Sequence, residues 1–227
     1  MRETRQQEWV NWSGSLRFTP DLTAEPESED ELAGLVRRAA AEGRTVRPVG
    51  MGHSSTPLMQ TEDVLVSLEK ITGLVSYDTE GQEATLKAGT MLHDAGRALH
   101  EVGLALWNYG DVDFQTLGGV VGTGTHGAGI KLGSFSNTVI GARMISAAGD
   151  VVEIDEDDLD LLRAARVSLL PGPYERLNIF PTGVATVPLA SMSKQFATYS
   201  PSEPPSERFR AGARCTLWSG VKLFVRN

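Results

Sequence analysis

A glycine-rich segment near the middle of the chain constrains the fold more than any other feature. Six of the twelve residues from Gly118 to Gly129 are glycine. Because glycine loses more backbone entropy on folding than any other residue, this segment predicts neither a stable helix nor an ordinary strand. Close approach of the backbone to a large ligand would explain the composition. A flexible loop is the alternative, although Thr123, Thr125 and His126 place oriented polar groups among the glycines.

The competing interpretation of this segment is a nicotinamide-dinucleotide fingerprint. That motif opens a helix and is followed about 20 residues later by an acidic residue. Here a loop and then strand-like sequence follow Gly129, and the first acidic residue is Asp150. The sequence therefore disfavours that fingerprint.

A second, shorter glycine loop follows a predicted strand at residues 45–49. Gly50 and Gly52 flank Met51, and His53 comes next. Glycines on both sides of one residue let backbone N–H groups converge on an anion such as a pyrophosphate. A histidine in a loop is more often a surface or core residue than a reactive group, and the spacing alone leaves both interpretations open.

Hydrophobic periodicity predicts an α+β domain. Ser28 and Glu31 form a potential capping box for a helix that runs to about Gly43. A second helix is predicted from Thr90 to before Gly103, and a third after the acidic run 155–158, which we interpret as a solvated helix start. Strands are predicted at 45–49, 64–66, 74–77, 84–87, 138–147 and 151–154, the last two forming a hairpin.

The character of the chain changes after Arg166. Seven of the eleven prolines lie between Pro171 and Pro205. This composition predicts a divergent, proline-rich and poorly ordered tail over residues 167–227. The alternative is a small folded appendage, for which the apolar stretch from Cys215 to Val225 could supply a strand.

Charge and cysteine content exclude several classes of function. A net charge of −8 disfavours attraction to nucleic-acid phosphates. Cys215 is the only cysteine, so no intramolecular disulfide can form, and redox chemistry would need a bound cofactor. We identify no metal site. No stretch reaches the roughly 20 apolar residues of a membrane span, and the sequence predicts a cytoplasmic protein.

Together the two glycine motifs resemble the flavin-linked oxidases of the vanillyl-alcohol oxidase type, which carry a PCMH-type FAD-binding domain. The similarity is to the sugar-lactone and alditol oxidase branch, typified by L-gulonolactone and D-arabinono-1,4-lactone oxidases. It rests on residues 9–12, 46–58 and 123–127 and on their order. The resemblance implies that residues 9–166 form an FAD-binding domain of two small α/β subdomains, followed by an irregular C-terminal tail.

The resemblance also implies residue roles. In that family the first loop wraps the FAD pyrophosphate, and a histidine at the position of His53 is often bonded to the 8α-methyl carbon of the flavin. The glycine-rich segment would lie along extended FAD, with His126 supporting the loop. The implied cofactor-binding residues are Val49, Gly50, Met51, Gly52, His53, Ser54, Thr116, Gly119, Gly124, Thr125, His126 and Gly127.

The implied activity is oxidation of a hydroxyl-bearing carbon in a sugar lactone or polyol by hydride transfer to FAD, with oxygen or another acceptor reoxidising the flavin. Proteins of this type continue into a substrate domain, which the sequence after Arg166 does not resemble. We therefore expect a truncated chain and assign no catalytic residue. The alternative is a non-catalytic, truncated FAD-binding fragment.

Overall fold

The computed structural model describes residues 1–166 and the backbone of residues 179–188. Two small α/β subdomains follow one another along the chain, each with its own sheet. The strands are β1 (Arg2–Arg5), β2 (Trp9–Val10), β3 (Arg17–Phe18), β4 (Leu22–Glu25), β5 (Val46–Val49), β6 (Val64–Ser67), β7 (Leu74–Asp78), β8 (Glu83–Leu86), β9 (Ala142–Ser146), β10 (Val151–Ile154) and β11 (Ile179–Pro188). The helices are α1 (Glu29–Ala41), α2 (Leu92–Glu101), α3 (Leu117–Gly122) and α4 (Leu159–Arg166), and a 3-10 turn spans Phe135–Thr138.

The first subdomain is a four-stranded sheet in the order β1-β4-β6-β5, covered on both faces. β4, β6 and β5 are parallel, and β1 adds an antiparallel edge. α1 packs on one face through a buried stripe at helical spacing, as its periodicity predicts. The β2–β3 hairpin covers the other face, where Trp9, Leu16 and Phe18 pack on Val49 and Leu65. Packing on both faces of the sheet holds β5 in place, and with it the start of the first glycine loop, which follows β5.

The N-terminus of α1 differs from prediction in one detail. The Ser28 Oγ accepts the N–H of Glu31 at 3.2 Å, as a cap should. The Glu31 carboxylate, however, accepts the N–H of Glu27 at 2.9 Å instead of that of Ser28. Its pKa is held below its usual value by that bond first and by the N-terminal amine second.

The second subdomain is a five-stranded antiparallel sheet in the order β10-β9-β11-β8-β7. α2, α3 and α4 contribute buried side chains to one core with β8, β9 and β10. The predicted hairpin is confirmed, although β9 begins at Ala142 rather than 138, because the 3-10 turn extends through Thr138. There the Thr138 hydroxyl donates to the Phe135 carbonyl at 2.7 Å.

The prediction that the glycine-rich segment excludes a helix is wrong for its first part, because Leu117–Gly122 forms α3. Leu117, Val120 and Val121 are fully buried in the core of the second subdomain. Their packing outweighs the low intrinsic helix propensity of the glycines between them. Beyond Gly122 the segment is loop, as predicted.

A strand lies inside the segment predicted to be a tail. The backbone of β11 pairs with β9 on one side and β8 on the other. Pro181 and Gly183 interrupt the period-two pattern by which strands are recognised, and the register with β9 shifts between Pro181 and Val184. Proline is tolerated in a sheet at such an irregularity. The remainder of the predicted tail, including Cys215 to Val225, lies outside the described residues.

α1 also joins the two subdomains. Ile145 of β9 is fully buried in the same cluster as the apolar stripe of α1. On the same face of β9, the Arg143 guanidinium donates to both carboxylate oxygens of Glu29, at 2.7 Å each. Within the described part of the chain, no helix is long and apolar enough to cross a membrane.

Candidate functional site

A cleft of about 1010 Å³, including the solvent at its mouth, lies between the two subdomains. One wall is the loop that follows β5. The opposite wall is formed by residues 115–123, which comprise the residues before α3, α3 itself and Thr123. The cleft is lined by Pro48, Val49, Gly50, Met51, Gly52, His53, Ser54, Leu58, Met59, Leu68, Ala88, Gln115, Thr116, Gly118, Gly119, Gly122 and Thr123. His53 is the only ionisable residue among these described lining residues, so the cleft offers a ligand backbone dipoles, neutral polar side chains such as Gln115 and Thr116, and apolar surface.

The loop wall offers a run of backbone donors. Within the described residues, the N–H groups of Met51, Gly52 and His53 have no hydrogen-bond acceptor. Gly52 has φ +66°, a left-handed conformation that strains residues with a Cβ. Consecutive unpaired N–H groups are the donor set that an anionic ligand such as a pyrophosphate requires.

The two walls approach each other closely at Gly50 and Thr116. A Cβ placed on Gly50 would lie 2.3 Å from the Thr116 Oγ1, which is not a possible contact distance. Thr116 is buried and immediately precedes α3, yet its side chain does not cap that helix. Glycine at position 50 is therefore required by packing as well as by its place in the loop.

His53 is held against the β2–β3 hairpin. The Trp12 indole stacks on its imidazole with ring centroids 5.1 Å apart and an interplanar angle of 21°. The backbone N–H of Trp12 donates to the Gly52 carbonyl at 3.0 Å, and the side-chain amide of Asn11 donates to the Ser54 carbonyl at 3.1 Å. These hydrogen bonds restrain the loop on both sides of His53.

The structure brings together eight of the twelve predicted cofactor-binding residues. Residues 49–54, Thr116 and Gly119 all line the cleft. Residues 124–127 do not line it and continue from its Thr123 end. In that stretch His126 is exposed and its Nδ1 contacts the Gly127 carbonyl at 2.9 Å, a local interaction within the loop.

Asn108 was not identified from the sequence, although it organises the glycine-rich loop. It is buried, with φ +49°, and its amide donates to the Gly133 carbonyl at 2.9 Å. Its side-chain oxygen accepts the N–H of Gly129 at 3.2 Å, and its carbonyl accepts that of Gly127 at 3.1 Å. No local sequence pattern predicts this role, because the hydrogen-bond partners of Asn108 lie 19 to 25 residues further along the chain.

Tyr109 lies beside this loop, and its pKa is well above the ordinary value of a tyrosine. Partial burial, and then the negative charge of Asp113, raise the pKa of Tyr109 to about 12. A tyrosine phenol is protonated at neutral pH even at its ordinary pKa, and this upward shift makes Tyr109 a weaker acid still.

Comparison with known proteins points to one family. The profile described as "FAD binding domain" matches residues 20–155. The L-gulono-1,4-lactone dehydrogenase of Mycobacterium tuberculosis is 37% identical over 161 residues, which are 71% of this chain and 37% of that protein. The D-arabinono-1,4-lactone oxidase of Eremothecium gossypii is 34% identical over 164 residues, covering 70% of this chain and 31% of that protein. The matched region thus spans about a third of the length of these curated relatives.

Solved structures agree on the fold. The 6-hydroxy-D-nicotine oxidase of Arthrobacter nicotinovorans superposes with a TM-score of 0.64 at 23% identity, covering 82% of this chain and 38% of that one. An alkyldihydroxyacetonephosphate synthase superposes with a TM-score of 0.64 at 20% identity, covering 78% of this chain and 33% of that one.

Proposed function

The chain belongs to the FAD binding domain family, and from that membership we propose that FAD is bound in the cleft between the two subdomains, where the chain supplies the flavin-binding half of a sugar-lactone oxidoreductase. The observation that carries the proposal is the run of unpaired N–H groups at Met51, Gly52 and His53 on a glycine loop. These donors suit a pyrophosphate without a dedicated cation. The apolar lining from Leu58, Met59 and neighbouring side chains suits flat aromatic rings.

We assign cofactor contacts to the residues that the family motifs predict. Residues 49–54 bind and orient the pyrophosphate, and Thr116 and Gly119 face it from the other wall. Residues 124–127 extend the binding surface past Thr123, and Asn108 holds that extension in place. His53 is the candidate for a covalent bond to the 8α-methyl carbon of the flavin. Bound FAD supplies a hydride acceptor.

The proposed reaction is oxidation of a hydroxyl-bearing carbon of a sugar lactone or polyol. Its support is the names of the relatives, which are lactone dehydrogenases and oxidases. Oxygen or another acceptor would reoxidise the flavin. We assign no catalytic base, because the relatives extend far beyond the matched region.

Three further proposals follow from the sequence. The FAD-binding domain spans residues 9–166 and is joined by β11 of the following segment, and the rest of residues 167–227 is a divergent tail. The protein is cytoplasmic, which is supported by its single cysteine. Nucleic acid is not a partner, which is supported by the net charge of −8.

The test is to load the full chain with FAD, exclude oxygen and add L-gulono-1,4-lactone or D-arabinono-1,4-lactone. Bleaching of the visible flavin absorbance, restored by air, supports the oxidoreductase. Free FAD with the same lactones is the control. Bound flavin that no lactone bleaches would favour the non-catalytic fragment instead.

A further inference from the structure

We propose that the β2–β3 hairpin is a positioning element for His53, with Trp12 fixing the orientation of the imidazole ring and Asn11 fixing the backbone that carries it. The inference rests on the proposed function only where it concerns flavin. The contact between Trp12 and the His53 ring is present in the protein without flavin.

The first observation is the position of Trp12. Its side chain is 73% exposed, although an indole gains by burial, and its one described ring contact is the stack on His53. Offset stacking at a centroid distance of 5.1 Å is within the range of favourable aromatic pairs. With one face of the imidazole against the indole, the ring can present only its edge and its other face to the cleft that it lines.

The second observation is that the hairpin contacts the loop at several points. The side-chain amide of Asn11 donates to the Ser54 carbonyl, and the backbone N–H of Trp12 donates to the Gly52 carbonyl. The Trp9 ring packs so closely on Gly52 that a Cβ there would lie 2.8 Å from it. Asn11 is itself buried and fixed, because its Oδ1 accepts the N–H of Leu16 at 2.9 Å.

These contacts restrain both the backbone of the glycine loop and the ring of His53. A loop with two glycines has many accessible backbone conformations, and a group that must meet a fixed atom of a ligand gains from restraint of both its backbone and its ring. The hairpin provides both restraints. It is anchored in turn, since Trp9 and Phe18 pack with ring centroids 5.2 Å apart on the core of the first subdomain. Trp12 and Asn11 are thus positioning residues that act through His53.

The test compares Trp12→Leu and Trp12→Phe with wild type in the full chain. Tyr77→Leu is the matched control, because Tyr77 is another exposed aromatic residue and lies on β7, away from the cleft. Proton NMR without FAD gives the first readout, with the His53 ring signals assigned by their loss in His53→Gln. We expect the indole ring current to displace these signals upfield in wild type. The displacement should vanish in Trp12→Leu and persist in part in Trp12→Phe, with no change in Tyr77→Leu.

The second readout is the rate at which added FAD becomes resistant to acid extraction in air, where oxygen takes up the two electrons and two protons released when the 8α-methyl C–H bond and the His53 N–H bond are replaced by a C–N bond. Misplacement of a reacting group by about 1 Å can reduce a rate 100-fold, so we expect Trp12→Leu to slow this step by roughly 10- to 100-fold, with partial rescue in Trp12→Phe. Asn11→Asp keeps the oxygen that accepts from Leu16 but loses the N–H that donates to Ser54, and it should also slow flavin attachment. Circular dichroism identical to that of wild type shows that this variant is folded.

The outcomes separate the two proposals. His53 signals at the same position in Trp12→Leu and wild type would overturn the inference, as would an unchanged rate of flavin attachment. Wild-type protein that retains no flavin would contradict the proposed function. In that case the ring-current displacement would still decide whether Trp12 holds His53.

Discussion

At the scale of single residues, the site depends on the absence of a side chain at position 50. The backbone of Gly50 is compatible with other residues, because its φ is not positive, but the Thr116 hydroxyl occupies the space that a Cβ would need. The closest approach of the two cleft walls is therefore a packing constraint between two named residues.

We expect Gly50→Ala to reduce the free energy of unfolding by about 1–3 kcal/mol, the usual cost of overpacking, and to weaken FAD binding. Thr116→Ala in the same chain should restore most of the stability, because the nearest remaining atom would be the Cβ of residue 116, at 3.5 Å. Gly34→Ala is the control, since Gly34 is in α1 with no atom within 4 Å of the added Cβ. It should stabilise by about 0.5–1 kcal/mol. Urea unfolding measures all four chains, and a Gly50→Ala variant as stable as wild type would refute this packing account.

A second residue-scale prediction concerns Asn108. Asn108→Gly keeps the positive φ accessible but loses both side-chain hydrogen bonds, so we expect a loss of about 1–3 kcal/mol and faster amide exchange at Gly129. Asn108→Asp keeps the acceptor for Gly129 but loses the donor to Gly133, and should exchange at an intermediate rate. Equal exchange in all three proteins would show that the loop is ordered by other contacts.

Part of the site can be predicted from the sequence at this scale. The loop at Gly50, Gly52 and His53 is recognisable because its chemistry is local: glycines after a strand, with a histidine beside them. The contacts of Thr116, Asn108 and Trp12 are not recognisable, because each depends on a partner brought near by the tertiary fold.

At the scale of elements, α1 is the member that both subdomains share. Its N-terminal Glu29 receives two hydrogen bonds from Arg143 of β9, and Arg143 also pairs with Glu153 of β10. The bond to Glu29 is the main cause of the raised pKa of Arg143.

A double-mutant cycle on this pair tests the connection. Because the Arg143 and Glu29 side chains are 36% and 24% exposed, we expect Glu29→Gln and Arg143→Met to show a coupling energy of about 1 kcal/mol. The exposed pair Arg17 and Glu8, each 58% exposed, is the control and should give less than about 0.5 kcal/mol. Similar coupling energies in the two cycles would mean that the α1–β9 contact is an ordinary surface pair.

Elements with strong periodicity are predictable, and those that depend on partners are not. α1, α2 and the β9–β10 hairpin follow from apolar spacing and turn residues. β1 and β4 are short and carry charged residues, so they are identified as strands by their pairing, β1 with β4 and β4 with both β1 and β6. α3 forms because its apolar residues are buried, against the preference of its glycines.

At the scale of the whole molecule, β11 determines whether the second sheet is continuous. Its backbone lies between β8 and β9, which would otherwise both be unpaired edges. A chain shortened to residues 1–166 should therefore unfold at lower urea concentration and associate more readily than one shortened to residues 1–190. Urea titration and light scattering measure both effects. Indistinguishable behaviour of the two chains would argue against β11 as part of this sheet.

The central claim is that the cleft binds FAD with His53 at the flavin. The most direct measurement is the absorbance spectrum of the purified full chain before and after acid precipitation, for wild type and His53→Ala. We predict yellow wild-type protein whose colour stays with the precipitate, and a His53→Ala variant whose colour is released to the supernatant. Wild-type colour released to the supernatant would show a flavin site without the bond to His53. Colourless protein that takes up no added FAD would contradict the claim.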